Sequence, residues 1–350
     1  MNSIYNYSRE KLDLYFLDKS QTKFRSTQVF EALYKQKTTD FSEITNFKLE
    51  LRELLKEDFY IPKFKIMKMQ ESLDETKKFL FELEDGNLIE TVLMKNSYGY
   101  SICITTQAGC NMGCAFCASG LTKKKRNLTT SEMVQQVLEV DNIINKEGKR
   151  VSHIVLMGIG EPFDNYDNVL EFLRIVNDQK GLEIGSRHIT ISTCGIVPKI
   201  YEFAEFPLQV NLAISLHFSN NEKRSKYMKI NKKYPLDELF KAVDFYFEKT
   251  NRRLTFEYIL LNDVNDSLED AKELVKLIKG RNAYVNLIPY NNTNIFTNSI
   301  LLTRSTEEKM KAFYDYLKKN KINVTLRKEQ GHDIDAACGQ LRLKEIQWKV

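Results

Sequence analysis

From about residue 100 onward the chain alternates between short β-rich apolar runs and helical stretches, and this alternation limits the fold more than any other feature. The runs cover residues 101–106, 153–158, 187–193, 210–216, 253–260 and 283–289. The helical stretches include 131–145, 166–178, 236–249, 267–279 and 305–320. Strands separated by helices form a parallel sheet with right-handed crossovers. The pattern predicts an α/β fold, a partial (β/α)6 barrel, with a doubly wound open sheet as the alternative. In either, the loops after the C-terminal ends of the strands carry the chemistry. Ahead of this unit, residues 1–75 read as a small helical accessory domain. Residues 76–100 read as a β-hairpin linker around the turn Asp85-Gly86-Asn87. The barrel then spans 101–328, with a last strand at 323–327, and 329–350 form a tail.

The 350 residues suffice for one large domain or two modest ones. With 52 Lys plus Arg against 47 Asp plus Glu, the net charge is +5, which permits a polyanionic partner without requiring one. No apolar run reaches the roughly 18 residues of a membrane span, and the start lacks a signal-peptide pattern. A cytoplasmic protein with no membrane partner, and a monomer, is expected. Six cysteines are present, three of them within eight residues. In a reducing compartment such crowding points to metal binding or catalysis rather than to disulfides.

Cys110, Cys114 and Cys117 form C-x3-C-x2-C directly after the first barrel strand. Thiolates are soft ligands for iron–sulfur clusters or zinc. A structural zinc site calls for four ligands, and no second C-x2-C is present. Three thiolates can hold three irons of a [4Fe–4S] cube and leave the fourth open to a ligand. Zinc and three unrelated buried thiols are the alternatives. Further candidates stand at other strand ends. Gly160 and Glu161 follow the second strand, Ser192 ends the third, and Ser215-Leu216-His217 end the fourth. Glycine there lets backbone approach a ligand, and the polar side chains can bind a carboxylate, an ammonium or a ribose.

The cysteine spacing on this fold resembles the radical S-adenosylmethionine (SAM) superfamily. Residues 90–92, 103–110, 157–162, 286–291 and 331–341 (Gly331-His332-Asp333-Ile334-Asp335-Ala336-Ala337-Cys338-Gly339-Gln340-Leu341) closely resemble the RlmN branch of its RlmN/Cfr family, over nearly the whole chain. The resemblance implies methylation of adenosine carbon 2, at adenosine 2503 of 23S rRNA and at position 37 of some tRNAs. Cfr-like methylation of carbon 8 is the alternative, and Pro162 stands where Cfr usually has alanine. An ordinary SAM methyltransferase, a radical SAM enzyme for a small molecule or protein, and an RNA-binding zinc module are the rivals.

By the same resemblance, Cys110, Cys114 and Cys117 would ligate a [4Fe–4S] cluster whose open iron chelates SAM. Gly160, Glu161, Ser192, Ser215, Leu216, His217 and Asn291 would bind that SAM. Cys338 would carry the methyl group, Cys103 would resolve the adduct as a Cys103–Cys338 disulfide, and Glu90 would sit beside the target adenine. Two SAM molecules would be used per turnover, with a flavodoxin- or ferredoxin-type one-electron reductant. Cys194 receives no role. The basic run Lys123-Lys124-Lys125-Arg126, with Lys19, Lys23 and Arg25 in the helical domain, would contact RNA phosphates.

Overall fold

The computed structural model describes residues 1–121, 123–291, 296–297, 300–331, 333–334 and 341. Its centre is a ten-stranded mixed sheet in which spatial order follows chain order. Three antiparallel strands come first: β1 (Lys65–Glu71), β2 (Lys77–Glu82) and β3 (Leu88–Asn96). Strand β4 (Gly99–Cys103) pairs antiparallel with β3 and opens the parallel part. β5 (Val151–Leu156), β6 (Ile189–Thr193), β7 (Asn211–Ser215), β8 (Leu254–Leu260) and β9 (Ala283–Pro289) continue it. β10 (Asn323–Leu326) pairs parallel with β9 and ends the sheet, so the barrel is open between β1 and β10. The six expected strands are all present, and the last strand adds a seventh to the parallel array.

The connecting helices carry their own stop and start signals. Helix α4 (Thr130–Asn145) begins with a capping box, in which Thr129 accepts from the Glu132 backbone and Glu132 reaches back to Thr129. Ser267 and Asp270 do the same for α9 (Leu268–Ile278). The shorter helices α6 (Val197–Ala204) and α7 (Asn221–Tyr227) escaped the sequence reading. At seven or eight residues, too few turns fit to display a 3.6-residue period.

Strand periodicity decides where the chemistry sits. Along β8, Leu254, Phe256, Tyr258 and Leu260 are fully buried in the main core, while Glu257 and Ile259 line a cavity. On β9, Ala283, Val285 and Leu287 face the core, and Ile288 faces the cavity. Successive side chains point to opposite faces, so the helix-facing positions are apolar and the inner positions are free to be functional.

The amino-terminal helices α1 (Arg9–Asp18), α2 (Phe24–Tyr34) and α3 (Leu49–Asp58) join the same hydrophobic core. They dock on α4 and α5 (Tyr166–Asn177) through Ser3–Ser131, Lys37–Asp141 and the Ser8 backbone to Glu171. The helical reading to residue 75 needs correction, because β1 lies within it. That strand is exposed along nearly its whole length, so it lacks the one-sided apolar alternation that betrays a strand. It is specified instead by pairing with β2.

Candidate active site

A cavity of about 440 Å3 opens where the parallel strands end. It is lined by Glu90, Cys103, Cys110, Cys114, Cys117, Gly160, Glu161, Ser192, Ser215, His217 and Asn291, all named from the sequence. Leu216 does not line it: the side chain is fully buried in the core. Its backbone N–H donates to the Glu257 carbonyl at 3.1 Å. Cys338 lies outside the described residues. Sequence reasoning missed Glu257 and Arg327, which also line the cavity, and Lys78 behind Glu90. A glutamate at an inner position of an apolar strand was the available signal for Glu257. Lys78 gave none, since Lys77-Lys78 reads as a solvated pair.

The cysteine loop is held by backbone contacts. The Ala115 N–H donates to the Tyr227 carbonyl at 2.9 Å, and the Cys117 N–H to the Cys114 carbonyl at 3.1 Å. Gly120 packs so close that a Cβ there would lie 3.2 Å from the Cys114 carbonyl oxygen. Phe116 meets His217 edge-on at 4.9 Å. It belongs to a second apolar cluster with Cys194, Phe218, Tyr227, Met228, Leu261, Tyr290 and Leu302. The three thiols are half-buried by surface area. Burial pushes Cys110 up to about 12, and Cys117 adds to the rise. Burial also raises Cys114, with Cys117 and Cys110 adding to it. A metal cation reverses this balance by deprotonating its thiol ligands. Among the described residues, no three His, Cys, Asp or Glu side chains converge on a point as they would for a single ion.

The loops after β5, β6 and β7 close around this group. A Cβ at Gly160, whose φ is +112°, would come within 2.7 Å of Gln107. Glu161 is buried, and burial raises its pKa. One of its oxygens accepts from the Phe163 N–H at 3.0 Å and the other from the Cys194 N–H at 2.7 Å. It therefore ties two strand-end loops together, with the Thr193 and Cys194 side chains adding to its hydrogen bonds. Burial depresses His217 to about 3, with the nearby Arg224 adding to the effect, so the ring is neutral. Its Nδ1 accepts from the Ile259 N–H at 3.1 Å, which leaves Nε2 as the protonated donor.

The antiparallel strands supply a different kind of wall. Lys78 and Glu90, both buried, form an ion pair at 2.9 Å. Pairing sets Lys78 opposite Val92 and Val92 opposite Cys103, so all three share one face of the sheet. Burial pushes the Cys103 thiol up to about 11, while Arg327 and Lys78 pull it down and Glu90 adds to the rise. Of the basic run beside the cysteine loop, Lys124 pairs with Asp164 at 2.6 Å and Arg126 with Glu132 at 2.8 Å. Lys123 and Lys125 are exposed. Lys19 pairs with Asp58, and Arg25 lies over the Phe47 ring.

Residues 104–278 match the radical SAM superfamily, and residues 2–61 match the ribosomal RNA large subunit methyltransferase N-terminal domain. The chain is 54% identical to a probable dual-specificity RNA methyltransferase RlmN of Enterococcus faecalis, over 98% of this chain and 97% of that one. It is 56% identical to the corresponding protein of Spiroplasma citri, over 98% of each. The chain belongs to the RlmN family. Among solved structures, a radical SAM methyltransferase from Sphaerobacter thermophilus superposes with a TM-score of 0.89 at 37% identity, covering 97% of this chain and 99% of that one. The RlmN-type N-terminal match ends at residue 61, four residues before β1. The fold is thus the radical SAM α/β fold, and its cavity is formed mainly by the superfamily region together with Thr76, residues of β3, Cys103, the end of β9 and the segment after β10.

Proposed function

We propose that the protein is a radical SAM RNA methyltransferase that adds a methyl group to carbon 2 of adenosine. Its substrates are adenosine 2503 of 23S rRNA and adenosine 37 of some tRNAs. The observation that carries this reading is one cavity holding Glu90, Cys103 and the three-cysteine loop, in a chain more than half identical to proteins named as RlmN.

Cys110, Cys114 and Cys117 suit a [4Fe–4S] cluster, since three thiols on one short loop at the cavity, two of them set against apolar neighbours, are a soft donor set. When bound, the cluster and SAM supply an organic radical by one-electron reduction. Phe116 and its apolar neighbours exclude water from that region. Glu161, Ser192, Ser215, His217 and Asn291 orient SAM through acceptors and donors at the strand ends.

Glu90, held against Lys78, presents a carboxylate to the adenine edge, where it accepts from an exocyclic amine. Cys338 carries the methyl group on sulfur. Cys103 rests as a thiol whose thiolate Lys78 and Arg327 favour; its sulfur attacks the Cys338 sulfur, the S–C bond breaks with its electron pair going to the adenine-bound carbon, and that carbon takes the proton lost by Cys103 to become the methyl group. The resulting Cys103–Cys338 disulfide is reset by thiol exchange. A one-electron reductant of flavodoxin or ferredoxin type completes the cycle. The test is a denaturing gel with labelled RNA. Cys103→Ala should trap a protein–RNA adduct and Cys338→Ala should give neither adduct nor product. Full turnover by either variant overturns the scheme.

A further inference from the structure

Glu257 is the one ionisable group in the cavity wall contributed by β8. It is 4% exposed, lines the cavity, and sits at an inner position of a strand whose other face is packed core. Its Oε1 accepts from the Asn286 side-chain amide at 2.9 Å, which fixes the plane of the carboxyl group. Its Oε2 is buried and has no hydrogen-bond partner among the described residues. A buried polar atom left unpaired is destabilising. An orphan acceptor on a residue that lines a cavity is poised for a ligand that brings the missing donor.

The surroundings say which donor. Sheet pairing places Ser215 directly opposite Glu257, and Glu257 directly opposite Asn286. The Ser215 hydroxyl lies 3.2 Å from that of Ser192. This part of the wall therefore offers two hydroxyls and one carboxyl oxygen side by side. Around it the lining is apolar, from Val155, Ile159, Ile259 and Ile288. Positive charge is already supplied by Arg327, which acts on Glu257 against the effect of burial. A ligand hydroxyl fits better than a second cation. Hydroxyl groups both donate and accept, so they can serve the carboxyl and the serines together. Acidic side chains hold ribose hydroxyls in this way in nucleotide sites, and apolar walls suit the face of a base.

We propose that Glu257, braced by Asn286, is a binding residue for ribose hydroxyls of a nucleoside in the cavity. The proposal rests on the reading of the cavity as a SAM and RNA site. Two sources share this chemistry. SAM offers a free vicinal diol, whereas a nucleotide within RNA offers only its 2′-hydroxyl, because its 3′-oxygen is esterified.

The test is equilibrium binding to the anaerobically reconstituted full chain, with S-adenosylhomocysteine and a short RNA hairpin as separate probes. Wild type is compared with Glu257→Leu and with Glu257→Gln, which keeps the shape should the leucine variant fail to fold. A tenfold or greater loss of S-adenosylhomocysteine affinity with unchanged RNA affinity assigns the ribose to SAM. A tenfold or greater loss for RNA alone, absent when the target nucleotide is 2′-deoxy, assigns it to the substrate. Changes of less than twofold for both probes overturn the proposal. If the wild-type protein binds neither probe, the reading of the whole cavity fails instead, so the two failures are distinguishable.

Discussion

The cysteine loop and the β2–β3 wall face the same cavity and are built on opposite principles. The loop sets Cys114, Phe116 and Cys117 against Phe218, Tyr227 and Met228 in a small apolar cluster, and burial drives the Cys110 and Cys114 thiols away from their charged form. The β2–β3 wall instead buries a full ion pair, Lys78 with Glu90, beside Cys103. In the first region, on the proposed reading, thiolate charge arrives with the metal. In the second, charge is already present and balanced within the protein. The difference teaches that an apolar region and a charge-balanced region can be kept apart within one small space.

The largest expected effect lies on the loop. On the proposed reading Cys114→Ser removes one of three cluster ligands, so reconstituted protein should lose most of its iron and sulfide and all RNA methylation. Metal and sulfide counts with a methylation assay check this. Full iron with full activity in the variant would dissolve the contrast.

On the other wall, Lys78→Met strands a buried carboxylate and should cost about 3–5 kcal/mol of stability. Replacing both partners, Lys78→Met with Glu90→Leu, should recover most of that loss, since a well-packed apolar pair is often neutral. Urea unfolding of the three proteins decides it, and additive losses would show that the pair is not coupled.

His217, packed edge-on against Phe116 of the cysteine loop, gives a pH signature. Its folded pKa of about 3 lies below its ordinary value of 6.5. The unfolded chain therefore binds the proton first as pH falls. The stability that His217 contributes is complete above about pH 6.5 and is lost on the way down to about pH 3, at no more than about 1.4 kcal/mol per pH unit. His217→Gln should flatten that part of the unfolding profile. An unchanged profile would mean the imidazole is not held neutral.

The smallest effect belongs to neither wall. Thr129→Ala removes the N-cap of α4 and should cost about 1 kcal/mol, with methylation unchanged. Lost activity here would mean that the contrast between the walls is not what sets function.

The cysteine triplet, the glycines and the strand-end serines were legible because each is a local pattern with a fixed offset from a strand. The α/β alternation was legible because buried strands and amphipathic helices have different periods. β1 was not, because an exposed edge strand bears no apolar face. Lys78 and Arg327 were not, because their meaning comes from partners far along the chain: Lys78 is twelve residues from Glu90 across a turn, and Arg327 acts on Cys103. Glu161 was half legible. Its place in the cavity was foreseen, but not its use of both oxygens to bind backbone N–H groups from two loops.

The most direct test of the central claim is mass spectrometry of rRNA and tRNA after incubation with reconstituted protein, SAM and a one-electron reductant. The expected result is 2-methyladenosine at a single rRNA position and at the tRNA position next to the anticodon. Unmodified RNA, or 8-methyladenosine in its place, would contradict it.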